Sequence, residues 1–343
     1  MTDLAVEVPP REGKVIRTLK AIALLRESPV GMIGAALVVF WVIVAIFAQV
    51  TIGPIVIPFL SGAEGPFIIG PIEFGLAPFN PIANLLPIAA PGTDFILAAG
   101  QSFDNKKVED FCSLMGDGQY HCGTFWLGTD QIGRDILSRV IHGSRQVLFY
   151  APIATLCAYA VGIPMGLWAG YKRGLTDDAL SFVANIILSF PVLVLYVIVI
   201  TKFGASGINI VLAVTFASAP GIFRIVRGLV LDLRNREYVF AAQTRGEPPW
   251  RIMVVEILPN ARGPLIVDSC LRLGYVIITI GVLGFLGLGL PPPDPDWGGM
   301  INYSRQMAMA FPHMVLFPCL AISSLVLGFN LVADGLREVA LRD

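Results

Sequence analysis

The stretch EYVFAAQTRGEPPWRIMVVEILPN, Glu237–Asn260, lies between two long apolar runs of a 343-residue chain. Glu237 to Arg245 carries a helical pattern, with Tyr238, Ala241 and Ala242 close together on its surface. Gly246 ends that helix, because glycine adopts the left-handed conformation without steric cost. Pro248 opens a second short helix, with Trp250, Met253, Val254 and Ile257 as its apolar set, and Pro259 ends it. The spacing predicts a helix–turn–helix elbow over 234–262. A plain charged loop would need neither two apolar-faced helices nor a glycine turn between them.

The flanking sequence says what the elbow joins. Only 14% of the residues are charged and 55% are hydrophobic, against about 25% charged in soluble domains. A membrane helix needs about 20 mostly apolar residues. Six such stretches occur, at 29–50, 147–170, 179–202, 208–230, 265–290 and 312–333. The first has no small-residue cleavage pattern at its end and reads as a retained span. The expectation is an all-α membrane protein with about six transmembrane helices. Its parts are a tail (1–28), a first span (29–50), an extracytoplasmic loop with an amphipathic helix (51–146), a core (147–334) and a second tail (335–343).

Lys and Arg in short loops set orientation. Arg11, Lys14, Arg17, Lys20 and Arg26 precede the first span, and Lys172 and Arg173 follow the second. Seven arginines from Arg224 to Arg262 surround the elbow, and Arg337 and Arg342 end the chain. With six spans all four groups share one side, which predicts cytoplasmic N- and C-termini. The net charge of −1 gives no basic field for a nucleic-acid partner.

The outer segment begins apolar but dense in Pro and Gly, which break helices. Unpaired backbone cannot face lipid, so this half reads as a packed loop and the polar half after it as turns. Cys157, Cys270 and Cys319 lie within spans as small apolar fillers. Cys112 and Cys122 lie in the outer segment, where an oxidising compartment allows a disulfide and the spacing does not decide it. His121 beside Cys122 falls short of a metal site, which wants four ligands. Ile132, Ile136, Leu137, Val140 and Ile141 mark an amphipathic helix leading into the second span. Its charges Asp130, Arg134, Asp135 and Arg139 either contact a partner or fold back on the bundle. Gly166 and Gly170 make a small-residue face for close packing, and Pro191 should kink the third span. Asp268 and Arg272, spaced i, i+4, can pair, as a structural ion pair or as part of a gate or path. The run PPPDPDWGG from Pro291 reads as a rigid turn or a receptor contact.

The elbow residues also carry a resemblance. YVFAAQTRG…ILP resembles the cytoplasmic coupling motif of ABC importer membrane subunits: an acidic-Ala-Ala block, three residues, Gly, then Leu-Pro. Ala241, Ala242, Gly246, Leu258 and Pro259 match it; Phe240 stands where the acidic residue belongs, and Glu237 lies one turn earlier. WLGTDQIGRDILSRVIHGSR and LGFLGLGLPPPDPDWGGMI resemble segments of the C-type subunits of the dipeptide/oligopeptide/nickel permease family. The likeness covers 125–340 well. It leaves 51–124 unmatched, and Ile280 stands near where many relatives have Glu.

The resemblance implies a type I ABC importer permease fold in a bacterial inner or plasma membrane. It implies a second, B-type permease subunit, one or two cytoplasmic ABC ATPases and an extracytoplasmic solute-binding protein. Glu237, Tyr238, Ala241, Ala242, Gly246, Leu258 and Pro259 would then couple to the ATPases. The chain has no phosphate-cradling loop, since Gly13-Lys14 lacks the upstream glycine. ATP and Mg would therefore sit on partner subunits, with no cofactor and no catalysis here. An intramembrane enzyme would need a nucleophile–base pair, paired carboxylates or metal ligands, and His121, His142 and His313 are scattered. The remaining alternative is an ion- or proton-coupled secondary transporter, which more often shows inverted repeats and midplane ionisable residues.

Overall fold

The computed structural model describes residues 28–48, 127–131, 134–291 and 294–340, with the backbone of short strands between 51 and 125. The basic tail 1–27 and the disulfide question at Cys112 and Cys122 lie outside the described residues and side chains. Five helices are long and apolar enough to cross a membrane, and a bent pair makes a sixth if it is one broken span.

Helix α1 (Pro29–Phe47) starts where Ser28 Oγ accepts the Gly31 N–H at 3.3 Å, with Pro29 in its first turn. It packs on the last helix, α9 (His313–Ala340). A Cβ on Gly34 would lie 2.6 Å from Leu331 Cβ, so only glycine permits this approach. Trp41 Nε1 donates to Ser324 Oγ across the same contact at 3.0 Å. Most other α1 side chains are exposed apolar groups, as a lipid-facing helix requires.

Helix α2 (Ile136–Lys172) joins two elements expected to be separate, the amphipathic prelude and the second span. Asp135 caps it, accepting from Leu137 N and Ser138 N at 3.2 and 3.1 Å. Nothing breaks the pattern at Gly143, because that glycine is used for packing: a Cβ there would meet Trp297 at 2.6 Å. The helix runs roughly 55 Å at 1.5 Å per residue, longer than the hydrocarbon layer. It packs most extensively on α5 (Gly207–Leu233). Gly162, Gly166 and Gly170 of α2 lie against Ile222, Val226 and Val230, and added Cβ atoms would come within 2.6–2.8 Å of their side chains.

Between them, α3 (Leu175–Ser189) and α4 (Val192–Phe203) meet at 86°. Pro191 therefore breaks the expected third span outright. Phe190, before the proline, takes the extended conformation that Pro imposes on its predecessor.

After α5 comes the short helix α6 (Glu237–Thr244), then α7, which runs from Pro249 to Phe285 without a stop. Here the structure corrects the expectation that Pro259 ends a second short helix. A regular helix would bring the Pro259 ring against the carbonyl four residues back. A π-helical turn at Ile252–Ile257 absorbs this, with Leu258 N donating to Met253 O, five residues back. The elbow's second half is thus the first turns of a spanning helix. Beyond α7, α8 (Trp297–Ser304) closes the far end before α9. The outer segment contains short antiparallel strands: Gln119–Phe125 pairs with Thr93–Ala98 and with Ser113–Leu114. Among the described residues, this sheet and three two-stranded ladders in the same segment depart from an all-α chain.

Candidate functional site

The elbow has an inner and an outer face. Val239 and Ala242 of α6 are buried against Ile252, Met253 and Ile257 of α7 and Leu167 of α2. Ala242 therefore faces the bundle, whereas the sequence reading put it on the docking surface. Glu237, Ala241 and Gly246 are exposed and Tyr238 is half-buried. Two further exposed side chains dominate this face: Phe240 at 53% and Trp250 at 61%. Phe240 had stood out only as a mismatch to the motif, and Trp250 had been placed in an apolar set with Met253, Val254 and Ile257, of which Met253 and Ile257 are buried and Val254 is exposed. Helical periodicity cannot tell which edge of a short amphipathic helix stays uncovered.

The turn between the two faces is stiff. Gly246 has φ +74°, and the Glu247 N–H donates to Ala242 O at 3.2 Å, which satisfies a helix-end carbonyl. A Cβ on Gly246 would meet nothing within 4 Å, so conformation rather than space selects glycine. Arg245 reaches Glu247 at 3.0 Å and Glu256 at 3.7 Å, and Arg251 reaches Glu247 at 3.7 Å. Leu258 is half-buried and Pro259 exposed on the far side.

Leu258 and Pro259 line an apolar groove of about 540 Å³ between α2 and α7, with Leu156, Tyr159, Arg262 and Ser269. Asp268 and Arg272 do pair, at 2.8 Å, with side chains 17% and 19% exposed. The Tyr159 hydroxyl donates to the same carboxylate oxygen, Asp268 Oδ2. The Arg272 guanidinium lies over Gly221 of α5, 3.3 Å from where a Cβ would be. The pair thus ties α2, α5 and α7 together beside the groove wall. Ile280 is buried and does not face the groove. Nearer the elbow, Arg227 of α5 holds Asp177 of α3 through two hydrogen bonds, the longer 2.7 Å. Arg234 donates to the carbonyls of Gly170 and Tyr171 at the end of α2, at 3.3 and 3.0 Å. Both arginines had been read only as topology markers.

At the opposite end, Arg134 pairs with Asp130 at 2.6 Å. Asp130 and Arg139 are buried, so these charges fold back on the bundle. Trp297, fully buried, donates its Nε1–H to Val140 O at 2.9 Å and packs edge-on to Trp41 at 5.1 Å. Of the run before it, Pro295 and Asp296 are buried with Trp297, while Pro291 and Asp294 are exposed. Asp296 caps α8, accepting from Gly298 N at 3.1 Å. Burial pushes the carboxyls of Asp296 and Asp135 up to about 6, against the backbone N–H bonds that favour their charged forms.

Residues 162–342, more than half of the chain, match the family described as "Binding-protein-dependent transport system inner membrane component". The chain is 39% identical over 213 residues to the glutathione transport system permease protein GsiD of Pectobacterium atrosepticum, covering 62% of this chain and 71% of the relative. It is 39% identical over 238 residues to the dipeptide transport system permease protein DppC of Haemophilus influenzae, covering 69% and 81%. Among solved structures, an inward-facing MetNI methionine ABC transporter chain superposes with a TM-score of 0.51 at 19% identity. That match covers 60% of this chain and 96% of the other, and it supports the fold.

Proposed function

The chain belongs to the family of binding-protein-dependent transport system inner membrane components, and from that premise we propose how its parts serve an ABC importer. It is a multi-pass membrane permease subunit of such an importer, which sets aside the ion- or proton-coupled alternative. Its cargo is a peptide or a peptide-sized solute, a reading supported by the dipeptide and glutathione permeases among its relatives. It works in a bacterial inner membrane with both termini cytoplasmic. A second, B-type permease completes the path, and the groove between α2 and α7 contributes this subunit's half. One or two cytoplasmic ATPases hold ATP and Mg, and an extracytoplasmic binding protein delivers the solute.

The elbow carries this reading. Its inner face is packed, its turn is fixed by ion pairs, and its outer face presents Phe240, Ala241 and Trp250. Exposed aromatics around a small residue suit a helix lodged in a partner's groove. Because the π turn runs straight into α7, a pull on the elbow moves a spanning helix rather than a loose loop. Closure of the ATPases would then reorient the groove.

Phe240→Ala, Trp250→Ala and Ala241→Trp test this. The expected result is loss of co-purifying ATPases and of ATP-driven uptake, with normal amounts of the subunit in the membrane. Retention of the ATPases with undiminished uptake in all three variants would remove the elbow from the coupling role.

A further inference from the structure

The groove between α2 and α7 has an uneven chemistry. Its walls are apolar: α2 supplies Pro152, Leu156 and Ile163, and α7 supplies Leu258, Leu265 and Ile266. Three hydroxyl-bearing side chains line it, and each hydroxyl is already committed within the chain. Thr155 Oγ1 donates to Ala151 O at 2.8 Å, Ser269 Oγ donates to Ile266 O at 2.7 Å, and the Tyr159 hydroxyl donates to Asp268. Of the lining residues, Arg262 alone is charged. It is exposed, and among the described residues its guanidinium has no hydrogen bond or ion pair.

Neighbouring arginines of this half of the bundle do have partners. Arg227 is held by Asp177, Arg234 by two backbone carbonyls and Arg272 by Asp268. Arg262 also lies partway along the groove rather than at its end. At 1.5 Å per residue, Val254 is about 12 Å to one side of it along α7 and Leu273 about 16 Å to the other. A guanidinium within a spanning helix is costly in hydrocarbon, and such residues line water-filled cavities and solute paths. Arg262 therefore offers one unmatched positive charge to whatever the groove holds, with apolar surface around it. An inorganic anion would leave the walls bare, a cation would be repelled, and a neutral solute would leave the guanidinium without a counter-charge. A monoanion with an apolar body meets both conditions. A carboxylate is the fitting anion, since a guanidinium grips its two oxygens as a fork. The volume of about 540 Å³ lies within the roughly 300–1,000 Å³ of small-ligand sites.

Resting on the reading of this groove as the subunit's half of the path, we propose that it selects the carboxyl end of the cargo. Arg262 pairs with the free C-terminal carboxylate of a short peptide, and the apolar walls take the side chain of its last residue. The lining holds no acidic side chain, so the peptide's ammonium end faces away from it.

Photoaffinity labelling tests this without reading uptake or ATP hydrolysis, so failure of the elbow's coupling role leaves the test intact. The full chain, with the subunits that co-purify with it, is placed in lipid nanodiscs without nucleotide. It is then illuminated with alanyl-photoleucine, a dipeptide with a free carboxylate. The expected result is saturable labelling of groove residues on α2 and α7, suppressed by alanyl-leucine and about tenfold less well by its C-terminal amide. Arg262→Gln should weaken labelling about tenfold and remove the preference for acid over amide, and Arg262→Lys should keep part of both. Equal suppression by acid and amide would leave the groove in the path and overturn the role of Arg262. Labelling confined to other helices, or none at all, would remove the groove from the path as well. Labelling that phosphatidylglycerol in the nanodisc abolishes and alanyl-leucine does not would make the groove a lipid site and overturn the proposal equally.

Discussion

Arg272 and Asp268 lie one turn apart on α7, mostly shielded from water, with Tyr159 bonded to the same carboxylate oxygen. Removing one partner leaves the other charge in a poor solvent, which costs at most about 3–5 kcal/mol; removing both costs far less. Asp268→Asn and Arg272→Gln should therefore each lower the melting temperature and uptake. The double variant should recover much of both; if it is as poor as the worse single, the pair acts in the path rather than in the packing. The i, i+4 spacing made this pair legible in the sequence. Tyr159, 109 residues away, was not, because only the α2–α7 approach brings it there. Asp296 gives a second test. Its folded value of about 6 stands above the ordinary 3.8, so the fold binds the proton more tightly than the unfolded chain. Stability must then rise as pH falls through 6 and level off below 3.8. The gain is about 1.4 kcal/mol between about pH 7.5 and about pH 5. Asp135 adds a change of the same sign. Asp296→Asn keeps a capping acceptor, so its melting temperature should respond less to pH over that window. An unchanged pH response would mean that the carboxyl is ionised in an open, solvated site.

The α2–α5 contact shows how elements are fixed by what a residue lacks. Gly162, Gly166 and Gly170 admit Ile222, Val226 and Val230, and the nearest backbone carbonyls stand 2.9–3.0 Å from where Cβ atoms would be. Gly166→Ala forces these helices apart, at about 1–3 kcal/mol. Alanine at the partner does not relieve it, because Val226→Ala keeps the Cβ at 2.6 Å and Phe223 O stays at 2.9 Å: Gly166→Ala with Val226→Ala should be no more stable than Gly166→Ala alone. If the single change costs nothing, the helices are not in contact as described. The small-residue face was readable from the sequence because its spacing repeats every four residues. Its partner was not, since branched residues at i+4 occur in many spans. Prolines show the same division. Pro191 and Pro259 were both read as interruptions, yet one breaks a span by 86° and the other is absorbed by a π turn. The difference lies in what each neighbourhood can donate. Around Pro259 the buried Ile252, Met253 and Ile257 hold the helix in place while its hydrogen bonds shift by one residue. Phe190 and Pro191 are exposed, with no such support.

Across the whole molecule the two ends differ in chemistry. The elbow end gathers Lys172, Arg173, Arg234, Arg236, Arg245 and Arg251, several of them exposed. The far end holds its arginines folded inward, with Arg134 paired and Arg139 buried. Basic residues in short loops stay on the cytoplasmic side during insertion, and charges folded inward weigh less in that choice than charges left in solvent. This asymmetry predicts that Gln243, exposed on the elbow, faces the cytoplasm and that Gln306, exposed beyond α8, faces outward. Cysteines placed singly at these positions, with the five native cysteines replaced, should show it. A membrane-impermeant maleimide applied to intact spheroplasts should label Gln306→Cys at once and Gln243→Cys only after permeabilisation. The measurement depends on an odd number of crossings between the two sites, which α7 alone supplies if it spans and α8 does not. Labelling of both from outside would mean that α7 re-enters on the same side. The elbow would then have no access to a cytoplasmic ATPase, however well its aromatic face suits one. The opposite pattern, with Gln243→Cys alone labelled from outside, would invert the orientation and put the elbow on the side that no cytoplasmic ATPase reaches.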